Sequence, residues 1–195
     1  MKTLKLFQLH FDQQKKSYRV SIGFDRSHFF QDKKAAKKFL ADSSRFATDV
    51  LFNLNEEFSE TFKLYRQNWI TLSPFRGSYA FAHLERTCQS KFNSVTETFD
   101  LIFNYQRSEN NSFMMLTNLL KVANYLQAIC KYMCDWFRSK KQLREARQCE
   151  FHLSVCTSIA NDLQNFGKRN ALEFRLPIQG EFPFYDSITL QKRVA

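Results

Sequence analysis

The sequence predicts a mainly α-helical (α+β) fold: a long antiparallel bundle of four helical segments, with a small antiparallel sheet formed by an N-terminal hairpin and a C-terminal strand. Glycine (4) and proline (3) are scarce among 195 residues, so tight turns are few and the elements are long. Phenylalanine is abundant (22 residues) and recurs at helical spacing, which supplies a large core. Apolar and polar residues alternate near both ends of the chain, as strands require. We expect a single domain over residues 1–195.

The predicted sheet begins with a β-hairpin over residues 3–24. The apolar residues of its second strand alternate with polar ones: Tyr18, Val20, Ile22 and Phe24. An edge strand is predicted over residues 171–178, because Pro177 cannot donate a ladder hydrogen bond. We therefore expect the two ends of the chain to meet in one sheet. Residues 180–195 are predicted to form an extended tail that either packs on its own domain or docks on a partner.

The helical bundle is predicted over residues 27–167. The first segment begins after Ser27 or Asp32, either of which could cap it, and runs to about Ser73. Its apolar stripe has a period near 3.5 and comprises Phe39, Ser43, Phe46, Val50, Leu54, Phe58, Phe62, Tyr65 and Trp69. The second segment runs from about Arg76 to Tyr105, with its own stripe of apolar residues every three or four positions.

The third segment, from Phe113 to Phe137, is apolar on two neighbouring faces. One stripe contains Leu116, Leu119, Ala123, Leu126, Cys130, Met133 and Phe137, and the other contains Met115, Val122, Tyr125, Ile129, Tyr132 and Trp136. A surface helix needs only one stripe, so we expect several partners to cover this helix. The fourth segment is predicted to end with Gly167 as its C-cap. The sequence fits either a turn at residues 139–142 or one continuous helix over residues 112–166. We expect the turn, because a bundle requires the chain to fold back.

The formal net charge is +10, and basic residues gather in two places. The N-terminal lysine cluster consists of Lys33, Lys34, Lys37 and Lys38, and the junction cluster consists of Arg138, Lys140, Lys141 and Arg144. Both predict binding to phosphate groups, with nucleic acid or an acidic protein as the expected partner. A solvated basic face explains the same residues. No zinc-finger spacing, helix-turn-helix or RNA-binding sheet motif accompanies them, so no base specificity is predicted.

A second pattern lies on the fourth segment, where a histidine follows an arginine in the sequence Arg147-Gln-Cys-Glu-Phe-His152. This spacing resembles the motif of HEPN-type ribonucleases, which are helical bundles in which these two side chains assist attack by the RNA 2′-hydroxyl. The resemblance implies a metal-independent ribonuclease with Arg147 and His152 exposed in a shared cleft. Arg76 and His83 fit the same loose pattern. The residue after each arginine, Gln or Gly, departs from the Asn, Asp or His that the family usually carries.

Two further groups of residues carry weaker chemical signals. Soft metal ligands for zinc or an iron–sulfur cluster could converge between the third and fourth segments from Cys130, Cys134, Cys149, His152 and Cys156. Most of the cysteines fall on predicted core stripes, however, so we expect core packing, with no metal and no cofactor. An acidic patch of Glu56, Glu57 and Glu60 on the first segment is interpreted as a solvated face.

These observations together predict a non-enzymatic binding or scaffolding protein whose basic surface engages nucleic acid or an acidic protein, as a homo-oligomer or within a larger assembly. One alternative is the HEPN-like ribonuclease. Another is an adaptor or chaperone that binds a protein partner through exposed aromatic residues. No charge-free apolar run approaches the ~20 residues that a bilayer requires, and no signal peptide pattern opens the chain. With five cysteines and no disulfide spacing, we expect a cytoplasmic protein without a membrane span.

Overall fold

The computed structural model describes residues 8–22, 26–71, 77–105 and 112–170. These residues form four long helices and a three-stranded antiparallel sheet, which confirms the predicted fold class. The strands are β1 (Gln8–Asp12), β2 (Ser17–Ile22) and β3 (Arg26–Phe30), and the helices are α1 (Lys33–Thr71), α2 (Tyr79–Tyr105), α3 (Ser112–Ser139) and α4 (Leu143–Arg169). The edge strand predicted at 171–178 and the tail at 180–195 lie outside the described residues. None of the helices in the described ranges combines the length and the apolarity that spanning a bilayer requires.

The sheet has the order β1-β2-β3, with β2 at its centre. Tyr18 pairs with a residue on each neighbouring strand, and Val20 is completely buried on the face that packs on α1. The hairpin is therefore confirmed where the structure describes it. The strand that follows it, however, begins at Arg26, so the prediction that the bundle starts at residue 27 is wrong.

Aromatic packing explains why residues 26–30 form a strand. The ring of His28 lies 5.0 Å from that of Phe39 on α1, and the ring of Phe30 lies 5.3 Å from the same ring. Two rings on one face of a short strand therefore gain apolar contacts as well as the ladder to β2. Five residues are too few for the alternation alone to reveal this strand in the sequence.

The first two helices begin with side-chain caps. Asp32 accepts hydrogen bonds from the backbone N–H groups of Lys34 (3.1 Å) and Ala35 (2.9 Å), so Asp32 and not Ser27 caps α1. The hydroxyl of Ser78 accepts a hydrogen bond from the N–H of Phe81 (3.2 Å) at the start of α2. Each cap satisfies backbone donors that a helix leaves unpaired in its first turn.

The predicted turn between the third and fourth segments is confirmed. Lys141 adopts a left-handed backbone conformation (φ 58°). The N–H of Gln142 donates to the carbonyl of Phe137 (2.9 Å) and that of Lys141 to the carbonyl of Arg138 (3.0 Å). This pair of hydrogen bonds is the Schellman arrangement, which ends α3 and lets α4 fold back along it.

The predicted C-cap at Gly167 is wrong, because α4 continues through it to Arg169. Gly167 is buried within the helix. The side-chain amide of Asn170 donates a hydrogen bond to the carbonyl of Phe166 (2.8 Å), and its backbone N–H is directed at the same turn. Since Asn170 satisfies these carbonyls with an ordinary negative φ (−101°), the helix needs no left-handed glycine to end.

Helix α3 occupies the centre of the bundle, as the two stripes predict. Every residue of its first stripe is buried, and on the second stripe Val122, Ile129 and Trp136 are buried while the two tyrosines are partly buried. The side chain of Met115 lies outside the description. α2 packs against α1 through edge-to-face rings, with Phe92 5.0 Å from Phe62. α3 itself contacts each of the other three helices.

The buried stripe of α1 follows the prediction at Ser43, Val50 and Leu54, and from Glu57 onward it is rotated by about one residue, although Tyr65 is also buried. The predicted phenylalanines Phe39, Phe46, Phe58 and Phe62 are only partly buried against the core. Three polar residues of the same helix are buried instead: Glu57, Thr61 and Asn68. Because the helical repeat places residues three and four apart on one face, these side chains form one row with the buried Leu54 and Leu64. This rotation brings a carboxylate to the interface with α4.

Candidate functional site

An open groove runs between the second half of α1 and the first half of α4 and encloses a volume of about 730 Å³. The two helices are antiparallel, since Phe46 stacks on Phe166 (4.5 Å) at one end and Glu57 meets His152 nearer the other. α1 lines the groove with Glu60, Lys63, Leu64 and Gln67, and α4 lines it with Leu143, Arg144, Arg147, Gln148, Phe151 and His152. Arg147 and His152 therefore both line the groove, but His152 is partly buried, whereas the ribonuclease resemblance implies two exposed side chains.

His152 is held by a carboxylate from the opposite helix. Its Nδ1 lies 2.6 Å from Oε1 of Glu57, and the two side chains are only 16% and 9% exposed. The hydroxyl of Thr61 donates to the same carboxylate oxygen (3.3 Å) and lies 3.8 Å from the thiol sulfur of Cys130. A line of polar groups thus passes from the groove into the centre of the bundle. Held in this way, the His152 ring has a fixed orientation.

The surroundings of His152 favour its charged form. The hydrogen bond to Glu57 raises the pKa of His152 above its ordinary value, the partial burial of the ring opposes this, and the charges of Glu57 and Glu60 add to the rise. With Nδ1 directed at the carboxylate, Nε2 is the ring nitrogen left for a molecule in the groove. An imidazole oriented by a carboxylate is the arrangement used for proton transfer in many enzymes.

The acidic patch is therefore not a uniform solvated face, and the interpretation of Glu57 is wrong. Glu56 and Glu60 are exposed, and Glu60 forms an exposed ion pair with Lys63 (3.6 Å). Glu57 is buried because it lies on the rotated stripe of α1. No signal in the sequence separates it from its two neighbours, since its partner lies on the last helix.

The structure divides the junction cluster. Arg144 lines the groove together with Arg147, and both side chains are exposed. Arg138 forms an ion pair with Glu150 across the turn, and the ammonium group of Lys140 lies 4.8 Å from the ring centre of Trp136. The fourth member, which occupies the left-handed turn position, is exposed. Only part of this cluster therefore faces the groove.

Two apolar residues that the sequence analysis missed also line the groove. Phe151 is 63% exposed and Leu143 is 62% exposed. The ring of Phe151 lies 5.4 Å from that of His152 in an edge-on arrangement. Phe151 lies off the apolar stripe of α4, and this displacement is the signal in the sequence that could have identified it. The other large exposed aromatics of the described residues, Phe11, Phe29, Phe52 and Tyr79, do not line the groove.

The N-terminal lysine cluster lies far from the groove. All four lysines are exposed in the first two turns of α1, as their spacing predicts. Along α1, the distance from Lys38 to Lys63 is about 40 Å, at roughly 1.5 Å per residue. The structure therefore does not bring the two predicted basic clusters together.

The remaining candidate ligands are buried. All five cysteines are thiols within the bundle, and burial raises the pKa of Cys88 to about 12. Across the described ranges, no three or more histidine, cysteine or acidic side chains are arranged to hold a metal ion. His83 is exposed on α2, whereas Arg76 lies outside the described residues. The second match to the ribonuclease pattern therefore cannot be placed as a pair.

Comparisons of the chain with protein-family models, with curated proteins and with solved structures found no match. The function is therefore inferred from the chemical groups that line the groove. They are two exposed guanidinium groups, an exposed phenyl ring and an imidazole held by a carboxylate. The first three suit recognition of a nucleic acid, and the fourth suits transfer of a proton.

Proposed function

We propose that the protein binds single-stranded nucleic acid in the groove between α1 and α4. The observation that carries this proposal is that Arg144, Arg147 and the exposed ring of Phe151 line the same open groove. Guanidinium groups bind phosphate oxygens in pairs, and an exposed ring stacks on any base because every base has a π-face. The net charge of +10 attracts such a ligand from a distance.

The exposed ring favours a single strand over a duplex and over an acidic protein. In a duplex the base faces are already stacked and cannot reach Phe151. The carboxylates of an acidic protein would pair with the arginines, but they would not stack on the ring of Phe151, which is 63% exposed. Salt dependence distinguishes them further, because neutralising phosphates releases condensed counterions and gives a steep, linear dependence of log K on log salt concentration.

The test is fluorescence anisotropy with labelled RNA and DNA strands of about 20 nucleotides over a range of salt concentrations. We expect Phe151→Ser to weaken binding about fivefold or more, since a stacked base contributes roughly 1–3 kcal/mol. The double variant Arg144→Ser/Arg147→Ser should weaken binding and reduce the salt slope by about 1.4, at about 0.7 per phosphate contact. Phe52→Ser and Arg86→Ser, which alter exposed residues outside the groove, are the matched controls.

Unchanged affinity in both groove variants would contradict binding at this site. Loss of affinity in the controls to the same extent would indicate a general charge effect rather than a groove. Binding of an acidic protein without binding of either strand would favour the acidic-partner interpretation of the same residues.

A second candidate function is metal-independent cleavage of RNA, which the His152–Glu57 pair favours. In this scheme the 2′-oxygen attacks the adjacent phosphorus, the bond to the 5′-oxygen breaks, and a 2′,3′-cyclic phosphate and a 5′-hydroxyl result. The proton of the 2′-hydroxyl passes to solvent, and charged His152 donates its Nε2 proton to the leaving 5′-oxygen, a role that its raised pKa suits. His152 then takes up a proton from solvent. Arg147 binds the charge on the phosphate, and Glu57 keeps the ring oriented.

Cleavage is tested with purified protein, labelled RNA and a chelator, with the DNA strand of the same sequence as control. We expect the RNA to be cut and the DNA to stay intact, because only RNA has the 2′-hydroxyl. His152→Gln and Arg147→Gln should each abolish cutting, while His152→Gln retains RNA binding. Intact RNA after incubation with wild-type protein would exclude this activity and leave the binding proposal standing.

A further inference from the structure

The solvent face of the sheet carries a row of cationic and aromatic side chains. His10 on β1 is paired with Arg19 on β2, and Arg19 is paired with Phe29 on β3. All three side chains are exposed, and Phe29 is 44% exposed. Because successive strand residues face opposite sides, this row lies on the side away from Val20, which is buried against α1.

Lysines of the hairpin turn and of the start of α1 lie near one end of the sheet. Lys15, in the hairpin turn, places its ammonium nitrogen 4.0 Å from the centre of the Phe29 ring. Phe30, the last residue of β3, pairs with Tyr18, close to the same turn. α1 packs on the opposite face of the sheet, and its lysine cluster begins three residues after Phe30, at this end of the sheet. We define the sheet surface as Arg19, Phe29 and Lys15, together with the N-terminal lysine cluster that adjoins it.

Two carboxylates close in sequence to this surface, Asp12 and Asp32, are engaged with the backbone. Asp12 accepts a hydrogen bond from the N–H of Lys15 (3.0 Å), and Asp32 caps α1. Four cations at the N-terminus of a helix also oppose the helix dipole, so a bound anion would relieve an unfavourable interaction. The surface thus combines an excess of positive charge with the partly exposed ring of Phe29, one face of which lies under the Lys15 ammonium group.

We propose that the sheet surface is a second contact for the same nucleic-acid strand, an inference that rests on the binding function proposed for the groove. Phe29 stacks on a base, while Arg19 and the lysines bind phosphates. The two contacts are about 40 Å apart along α1, so one strand reaches both only above a minimum length. Binding at the first contact then makes binding at the second intramolecular, and the protein selects long strands over short ones.

The test measures, by fluorescence anisotropy, the affinity for single strands of increasing length. The shortest strands cannot span the two contacts, and the longest exceed the distance between them. For wild type we expect a rise in affinity of about tenfold or more once the strand spans both contacts. Phe29→Ser and the triple variant Lys33→Ser/Lys34→Ser/Lys37→Ser should lose this rise, as should Phe151→Ser in the groove. Phe29→Tyr, which keeps a ring, should retain it.

The controls separate this inference from the function on which it rests. Phe52→Ser should leave the length dependence unchanged, and thermal unfolding of each variant verifies that the sheet remains folded. If the sheet variants bind long strands as wild type does while Phe151→Ser binds them weakly, the second contact is overturned and the groove proposal stands. If wild type binds no single strand of any length, both proposals are overturned.

Discussion

Glu57 is the residue on which the geometry of the groove depends. A carboxylate that is only 9% exposed is costly to bury without partners. It has two, the imidazole of His152 and the hydroxyl of Thr61, and the first can carry a positive charge. A charged pair at 2.6 Å stabilises the protein more than a neutral hydrogen bond does. The pair therefore links folding stability to the protonation of His152.

The Glu57→Gln variant is expected to be less stable than wild type by about 1–3 kcal/mol at pH 6 and by clearly less at pH 9. The loss of stability is larger at the lower pH because the pKa of His152 is raised in the folded protein. Stabilisation by the pair is fully present below the pKa of the unfolded imidazole, about 6.5, and is lost as the pH rises through the higher folded value. Urea unfolding followed by circular dichroism at the two pH values measures the difference.

Glu56→Gln is the control for this prediction, because Glu56 is the exposed neighbour of Glu57 and its loss removes the same charge. We expect it to change the free energy of unfolding by no more than about 0.5 kcal/mol at either pH. A loss of stability in Glu57→Gln that is the same at pH 6 and pH 9 would show that the pair is not ionised in the folded protein.

Residues of the groove differ in how far the sequence reveals them. Arg147 and His152 could be predicted together because their spacing is local to one helix. Glu57 could not be predicted, because its partner His152 lies 95 positions away in the sequence. The sequence also does not distinguish Glu57 from Glu56 and Glu60, which are exposed. Phe151 could be singled out by its place off the apolar stripe of α4, but this alone does not assign it a role, since one apolar residue on a polar face is common in surface helices. Whether nucleic acid uses these residues stays a prediction.

The helices are the elements that the sequence predicts most completely, because apolar spacing over 27 or more residues leaves little choice of secondary structure. Their ends are less predictable. Asp32 was a correct candidate for a cap, whereas Gly167 was not, since Asn170 supplies the hydrogen bonds that end α4. The strand β3 escaped notice because its pairing with β2 and its rings against α1 are tertiary interactions.

The turn between α3 and α4 offers a stability prediction at the level of one element. Lys141 holds a left-handed conformation (φ 58°), which costs a residue with a Cβ roughly 1–2 kcal/mol. We expect Lys141→Gly to raise the free energy of unfolding by about 1 kcal/mol, after allowing for the greater freedom of glycine in the unfolded chain. Chemical denaturation of the purified variant measures this change.

Lys140→Gly is the matched control for the turn, because it removes the same charge one residue earlier. Lys140 does not have a positive φ, and its ammonium group lies over the Trp136 ring, so we expect this variant to be no more stable than wild type. Equal stabilisation in both variants would indicate relief of charge repulsion in the junction cluster. In that case the left-handed turn would not be the cause.

The arrangement of the whole molecule follows from the position of α3. Since both of its faces are apolar, the other helices have to surround it, and the observed burial of its stripes confirms this. The rotation of α1 could not be derived in the same way, because phenylalanine and leucine stripes lie side by side on that helix and either could face inward. The ring of Phe92 on α2 lies against Phe58 and Phe62 of α1, so these phenylalanines face α2.

Phe92 tests whether this packing of α1 against α2 holds the bundle together. It is buried, and its ring lies 5.0 Å from Phe62 and 5.2 Å from Tyr65, both on α1. We expect Phe92→Ala to lower the free energy of unfolding by about 3–5 kcal/mol, because a buried ring is lost and a cavity remains between the helices. Phe52→Ala, at an exposed position of α1, should change it by no more than about 0.5 kcal/mol. Urea unfolding of both variants gives the two values, and a similarly small loss for Phe92→Ala would mean that α2 contributes little to holding α1 in place.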